Sequence, residues 1–199
     1  MPDSFVTVVS GLPRSGTSMM MQMLEAGGMD VLYDDERRAD RDNPRGYYEL
    51  RRVKALPGGD AEWLDDAEGR AVKVVSALLR WLPGDRSYRV LFLERHLDEV
   101  LASQRRMLDH RPGGYDGSDE ERLREAFRRH LAQVGRWLET RDNMAVHRVR
   151  HRALVTAPER ELRAVADFLR LDLDLVAMTA VADPALYRNR AERGSRAGP

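Results

Sequence analysis

The sequence predicts an α/β fold in which a parallel β-sheet is covered by helices on both faces. Short apolar runs rich in valine and leucine alternate along the chain with longer segments that have a helical apolar period. A glycine-containing loop also connects the first apolar run directly to the first helical segment. Alternating strands and helices pack into three layers, and such sheets bind ligands beyond the carboxyl ends of their strands. We therefore expect the functional residues to follow the strands.

Four apolar runs are predicted as strands because they are short, rich in β-branched or aromatic residues and bounded by turn residues. In chain order they are Phe5–Ser10, Val72–Ser76, Tyr88–Glu94 and Ala145–Val149. The first is an apolar run rich in β-branched residues that ends at Gly11, so we expect it to be a buried strand.

The segments between and after these strands are predicted as amphipathic helices, and the third of them opens with the capping pattern Ser118-Asp-Glu-Glu121. The methionine run Met19–Met23 is expected to pack the first helix under the sheet, because methionine fills irregular gaps. Trp81 and Trp137 are also expected in the core. The helical segments are Gly16–Ala26, Asp98–Leu108, 118–141, Pro158–Leu169 and Leu173–Val181.

The segment 29–71 is predicted to be irregular and polar, with turn signals in DNPRGYY and PGGD. A connection of this length in a compact domain is more often a lid or a binding segment than slack chain. We therefore expect 29–71 to serve binding within a single domain that spans 1–199. The tail 191–199 is expected to be disordered.

Composition narrows the function classes for this chain of 199 residues. Basic and acidic residues balance at 33 each, so no global field attracts the protein to nucleic acid or to an anionic membrane. The absence of cysteine fits a reducing cytoplasm. No apolar run approaches the length of an integral membrane segment. We expect a cytoplasmic protein with a local anion site, and the sequence is equally compatible with a monomer or a homo-oligomer.

The loop Gly11-Leu-Pro-Arg-Ser-Gly-Thr-Ser18 leaves the first strand and enters the first helix. Its glycines allow a tight turn in which successive N–H groups point into one concavity. The helix N-terminus adds partial positive charge, and Ser15, Thr17 and Ser18 offer hydroxyl donors. These features together predict an oxyanion site.

The identity of the cation distinguishes this loop from the ATP and GTP loop G-x-x-x-x-G-K-[ST]. Thr17 occupies the lysine position, and the cation is Arg14 inside the loop. A kinase with a degenerate loop remains an alternative, because Glu94 ends a strand where a metal-binding acid would be expected. Arg95 directly beside Glu94 makes a dication less favourable there.

The loop resembles the 5′-phosphosulfate loop of the sulfotransferases that use 3′-phosphoadenosine 5′-phosphosulfate (PAPS), which place Lys or Arg at the position of Arg14 before Ser-Gly-Thr. The same family has an arginine at the end of its third strand and a serine eight residues later, and both bind the cofactor's 3′-phosphate. Arg95 and Ser103 match that spacing here. NPRGYYE and HRALVTAPERELRAVADFLRL resemble further stretches of the family, although His151-Arg152 replaces the usual Tyr-Glu. The family's C-terminal Arg-Lys-Gly loop is missing, and Arg188 or Arg190 could replace it.

The resemblance implies transfer of a sulfuryl group from PAPS to a hydroxyl or amine of a small-molecule acceptor, with release of 3′-phosphoadenosine 5′-phosphate (PAP) and without a metal. The implied cofactor-binding residues are Arg14, Ser15, Gly16, Thr17, Ser18, Arg95 and Ser103. The implied catalytic residues are Arg14, Lys73 and Glu49.

The general base is where the resemblance departs from the family pattern. Cytosolic members use the histidine of a Lys-Thr-His strand, and Val75 stands at that position here. Glu49 is the replacement that we expect, because other branches use a glutamate from the segment after the first helix. Asp34, Asp35 and His151 are weaker alternatives. A non-catalytic protein that binds PAP or another nucleotide is a further alternative.

Overall fold

A five-stranded parallel sheet forms the centre of the computed structural model, which describes residues 4–34, 39–40, 43, 45–109 and 119–182. The strand order is β2-β3-β1-β4-β5. β1 and β4 lie in the interior of the sheet, and their apolar residues are buried on both faces. The strands are β1 (Val6–Gly11), β2 (Val31–Leu32), β3 (Ala71–Lys73), β4 (Tyr88–Glu94) and β5 (Met144–Arg150).

The pairing of the chain after β3 with β1 extends beyond the regular strand. The backbone N–H of Val74 donates to the carbonyl of Val9, and that of Ser76 donates to the carbonyl of Gly11, each at 3.0 Å. These bonds continue the parallel register in which Lys73 lies opposite Val9. The predicted strand 72–76 is therefore hydrogen-bonded to β1 along its length, and its last residue lies beside the start of the glycine loop.

Six α-helices of the described ranges cover the sheet, and the five predicted segments are among them. The additional helix follows β5 directly and is too short for its sequence to show a helical period. α3 begins at Glu120 after Asp119, so Ser118 of the predicted capping pattern lies outside the described residues. The helices are α1 (Thr17–Ala26), α2 (Leu97–Asp109), α3 (Glu120–Glu139), α4 (His151–Thr156), α5 (Pro158–Leu169) and α6 (Leu175–Ala180).

The described part of the segment 29–71 is more ordered than its composition predicts. It contains β2 and two 3-10 helices, Arg51–Gly58 and Glu62–Leu64. Trp63 and Leu64 are buried in the core, so part of this segment covers one face of the sheet. The scattered apolar residues have no single period, which is why the sequence indicated only an irregular connection.

Two apolar layers lie on the two faces of the sheet. Val6, Val8, Val72 and Val74 pack against the segment 50–67 and α3, while Val9, Ala71 and Leu91 pack against α1, α5 and α6. Three methionines of α1 are fully buried in the second layer, as predicted for the run at 19–23: Met20, Met21 and Met23.

The expectation that Trp81 is a core residue is wrong. Its side chain is 41% exposed, and the Arg80 guanidinium lies 4.9 Å from the ring centroid. No helix in the described ranges has the length and apolar character needed to cross a membrane.

Candidate active site

The loop between β1 and α1 has the backbone conformation that its glycines predict. Gly11 and Gly16 have φ angles of 150° and 102°, and Arg14 adopts φ 71° although it is not glycine. A non-glycine residue in the left-handed region costs about 1–2 kcal/mol, and such positions concentrate at functional sites. The loop is therefore strained at the residue that carries its cation.

The interior of the loop offers hydrogen-bond donors that the protein itself leaves unused. Gly16 precedes α1 and provides no side-chain cap, so the first N–H groups of the helix have no capping side chain at that position. The Ser15 side chain is buried, and its hydroxyl makes no hydrogen bond within the described part of the chain. Buried polar groups without a partner are rare. An oxyanion in the loop would accept hydrogen bonds from both the Ser15 hydroxyl and the first N–H groups of α1.

Three of the residues predicted to bind the cofactor, Arg14 in the loop with Arg95 and Ser103, lie close together. The Arg14 Nε donates to the Ser103 hydroxyl at 3.0 Å, and the Arg95 Nη1 donates to the Arg14 carbonyl at 3.1 Å. Arg95 also pairs through its Nε with the buried carboxylate of Glu99 at 3.0 Å. The spacing between Arg95 and Ser103 thus brings α2 and the loop together at the carboxyl end of β4.

A second group of predicted residues lies where the carboxyl end of β3 meets the segment after α1. The Lys73 ammonium donates to the Tyr47 carbonyl and lies 3.7 Å from a carboxylate oxygen of Glu49. The Ser18 hydroxyl donates to the same carbonyl at 3.2 Å. Lys73 is 7% exposed, so it is not the surface lysine that its position near a strand end would also allow. Lys73 and Glu49, far apart in sequence, are therefore neighbours.

His151, the first residue of α4, packs against the loop. A Cβ built on Gly16 would lie 2.6 Å from the His151 Cδ2, so the imidazole occupies the space next to this glycine. Burial, assisted by the charge of Arg95 and opposed by Glu99, lowers the pKa of His151 to about 4. The ring is therefore neutral at pH 7. The imidazole therefore packs against the loop at Gly16 and adds no positive charge to it.

The remaining sequence candidates have other surroundings. Asp34 accepts a hydrogen bond at 2.5 Å from the backbone N–H of Arg51, at the start of a 3-10 helix. Glu94 pairs with Arg148 of the neighbouring strand at 2.7 Å. Asp35, Arg188 and Arg190 lie outside the described residues. Among the residues that are described, no three His, Asp or Glu side chains are grouped to hold a metal ion.

Sequence reasoning missed two elements of this site. Glu99 has a signal that could have been used, because it is an acid four residues after Arg95 in the first turn of a predicted helix, a spacing at which opposite charges pair. The Tyr47 carbonyl has no signal in the sequence, since every residue has a backbone carbonyl. Only the tertiary structure brings this one to Lys73 and Ser18. Tyr47 itself contributes a buried ring whose hydroxyl donates to Asp40.

Solved structures with the same fold come from bacterial sulfotransferases. The sulfotransferase domain of the curacin biosynthetic pathway covers 94% of this chain and 92% of its own, with 14% identity and a TM-score of 0.52. The sulfotransferase domain of the Synechococcus olefin synthase covers 97% and 90%, with 19% identity and a TM-score of 0.55. A sulfotransferase of Mycobacterium tuberculosis covers 93% and 73%, with 18% identity and a TM-score of 0.57. At these identities the likeness concerns the fold, and it confirms the predicted three-layer, P-loop-type α/β architecture.

The family assignment comes from the sequence itself. No curated protein matches the chain by sequence. The family model described as "Sulfotransferase family" matches residues 57–174, a stretch that contains Lys73, Arg95 and Ser103. This match spans more than half of the chain, and we conclude that the chain belongs to the sulfotransferase family.

Proposed function

We propose that this protein transfers a sulfuryl group from PAPS to a hydroxyl or amine of a small-molecule acceptor and releases PAP. The observation that carries the proposal is the contact between Arg14 and Ser103. It lies beside a loop in which, among the described residues, the Ser15 hydroxyl has no hydrogen-bond partner and the N-terminus of α1 has no side-chain cap. Two arginines, two hydroxyls and uncapped N–H groups form a donor set that suits the phosphates of PAPS.

The proposed cofactor-binding residues form two groups, one in the glycine loop and one on the α2 side of the loop. Ser15, Gly16, Thr17 and Ser18 present the loop and the first turn of α1, where backbone N–H groups favour a dianion. Arg95 and Ser103 hold the 3′-phosphate on the α2 side. Arg14 lies between these two groups through its contacts with Ser103 and Arg95, and it stabilises the charge that develops on the leaving phosphate.

PAPS, when bound, supplies the sulfuryl group, and the chain provides charge and proton transfer around it. Lys73 is a buried cation at the carboxyl end of β3, and it stabilises negative charge on the transferred group. Glu49 lies within 3.7 Å of Lys73 and takes the proton of the acceptor. The segment 45–49, held by the bonds of Ser18 and Lys73 to the Tyr47 carbonyl, forms part of the acceptor side.

The alternatives predict different ligands. A kinase with a degenerate loop would bind ATP with magnesium and would need an acid such as Glu94, whose carboxylate is paired with Arg148. A non-catalytic protein would bind PAP, transfer nothing and tolerate the loss of Glu49.

A thermal-shift comparison of PAP and ATP, each with magnesium and with EDTA, tests the proposal. A ligand at about 100 times its dissociation constant adds about 2.7 kcal/mol to the free energy of unfolding. We expect PAP to raise the melting temperature equally in both buffers and ATP to have little effect. Stabilisation by ATP only with magnesium, together with no effect of PAP, would contradict the proposal and favour the kinase.

A further inference from the structure

Glu99 is a buried acid beside the basic residues of the proposed cofactor site, and the function proposed above gives it no task. Its carboxylate Oε2 accepts a hydrogen bond from the Arg95 Nε at 3.0 Å. The side chains of Arg95 and Glu99 are only 9% and 5% exposed. A negative charge next to a phosphate-binding arginine repels the phosphate. The position of Glu99 is therefore not explained by the charge that the ligand needs.

The Arg95 guanidinium is held from two sides, by α2 and by the glycine loop. Its Nε donates to Glu99 in the first turn of α2, and its Nη1 donates to the Arg14 carbonyl at 3.1 Å. A guanidinium is planar, and its N–H groups form a rigid fork. Hydrogen bonds from two of its nitrogens therefore fix the direction of the whole fork.

The face of α2 that carries Glu99 also carries Ser103. The two residues lie four positions apart, a spacing that places them on one side of a helix. Ser103 accepts a hydrogen bond from the Arg14 Nε at 3.0 Å, just as Glu99 accepts one from Arg95. The bond from Arg95 to the Arg14 carbonyl joins the two arginines. One face of α2 therefore sets the positions of both arginines relative to each other.

The neighbouring titratable groups do not take over the role of either partner. His151 lies within electrostatic reach of both, since Arg95 lowers its pKa and Glu99 raises it, but burial is the largest effect and makes the imidazole neutral at pH 7. Asp98, the other acid in the first turn of α2, pairs with Arg124 on α3. Glu99 is therefore the acid of this turn that acts on Arg95.

We infer that Glu99 is a positioning residue, which directs the Arg95 guanidinium to the 3′-phosphate and so gives the site its preference for a nucleotide that carries this phosphate. The inference rests on the proposed function and adds one residue to its cofactor site. Glu99 acts through Arg95 and not by contact with the nucleotide. The gain from a fixed guanidinium then outweighs the repulsion between the Glu99 carboxylate and the phosphate.

Orientation and charge predict opposite results for the variant Glu99→Gln. If the charge of Glu99 dominated, its removal would relieve the repulsion and tighten the binding of PAP. If its hydrogen bond to Arg95 dominates, the variant binds PAP more weakly. Adenosine 5′-phosphate (AMP), which lacks the 3′-phosphate, reports all the other contacts of the nucleotide. The ratio of the PAP and AMP affinities therefore isolates the effect on the 3′-phosphate from any general damage to the site.

Three variants test the inference, and the melting temperature of each establishes that it is folded. Glu99→Gln removes the charge, whereas Glu99→Asp keeps it but withdraws the carboxylate by one methylene. Asp98→Asn is the matched control, because it removes an acid from the same helical turn and leaves the contact between Arg95 and Glu99 in place. PAP affinity is measured by calorimetry, and AMP affinity by competition with PAP.

We expect Glu99→Gln to weaken PAP about tenfold, part of the effect of a charge-assisted hydrogen bond, and to change the affinity for AMP much less. Glu99→Asp should lose less of the preference for PAP, since its carboxylate can still attract the guanidinium. Asp98→Asn should bind both nucleotides with the preference of the unmodified protein.

An unchanged ratio of PAP and AMP affinities in folded Glu99→Gln would overturn the inference, because Glu99 would then be a purely structural residue. Tighter binding of PAP, or an equal loss of preference in Asp98→Asn, would also overturn it. If Glu99→Gln does not fold, the ratio in Glu99→Asp decides in the same way. All these results leave the cofactor assignment standing, whereas failure of the unmodified protein to bind PAP would overturn the proposed function itself.

Discussion

Lys73 Nζ lies 3.7 Å from the Glu49 carboxylate, at a point where the ammonium is almost completely buried. Glu49 also lies 3.9 Å from Lys54, whose side chain is 70% exposed. A buried cation is stable only when it is paired or hydrogen-bonded. Glu49 therefore has a structural role as a counter-charge to Lys73 besides the proposed role as proton acceptor, and the two roles can be separated by experiment.

Glu49→Gln should lower kcat about 10²–10⁴-fold, the usual contribution of a general base, while the affinity for PAP changes little. The measurement is turnover with PAPS beside calorimetric binding of PAP. Lys54→Met is the control, because it removes the exposed neighbour of Glu49 and leaves Lys73 in place. Turnover equal to that of the unmodified protein would exclude Glu49 as the base.

Arg95→Ala should destabilise the fold by about 3–5 kcal/mol, because it leaves the Glu99 carboxylate buried without its cation. The double variant Arg95→Ala/Glu99→Gln should recover part of this loss in a urea titration. PAP affinity should stay about tenfold to a hundredfold weaker in the double variant, since a charge-assisted contact to phosphate is lost. Full PAP affinity in the folded double variant would remove Arg95 from the phosphate site.

Gly16→Ala should destabilise the protein and weaken PAP binding. The new methyl group would lie 2.6 Å from the His151 ring at a backbone φ of 102°. The expected loss is about 1–3 kcal/mol from the steric contact, added to the left-handed strain. Gly28→Ala is a matched control, because Gly28 has φ 90° and nothing within 4 Å of its new Cβ. Equal effects of the two variants on stability would show that the contact with His151 carries no cost.

Stability should fall as the pH drops from about 6.5 to 4 because of His151. Its pKa is lowered from 6.5 to about 4 in the folded protein, so the unfolded chain binds more protons in this window. Stability therefore rises with pH there and is fully present above 6.5. The loss of stability across the window is at most about 3–4 kcal/mol. Urea midpoints measured across this range should vary less in His151→Phe, and identical pH dependence in both proteins would contradict the assignment.

Local patterns predicted the parts of the site that lie close together in sequence. Gly11 and Gly16 mark the tight turn, and the helical period after Gly16 marks the start of α1. Arg95 follows the end of β4 and Ser103 lies on α2, and both contact Arg14 of the loop. These features depend on backbone geometry and helical periodicity, which act over a few residues.

Contacts between segments that are distant in sequence could not be predicted from local sequence patterns. The short strand β2 and the 3-10 helices of 29–71 have no apolar period, and their order comes from burial of residues such as Trp63 against the sheet. Trp81 illustrates the reverse error: an aromatic side chain was expected in the core, but the short 3-10 helix Leu79–Trp81 turns it outwards. The hydrogen bond of 2.8 Å between the Ser76 hydroxyl and the His130 Nε2 on α3 likewise depends on how α3 lies across the sheet.

The sequence by itself determined the parallel α/β architecture, the tight glycine loop between β1 and α1, and the order of the elements that carry Arg14, Lys73, Arg95 and Ser103. Their local signals are strong because strand and helix periods and glycine turns are properties of short stretches. The tertiary structure alone decided that Lys73 faces Glu49, that Arg95 is paired with Glu99 and that His151 supports Gly16. Those pairings follow from packing of distant segments on the sheet, where burial forces each charge to find a partner.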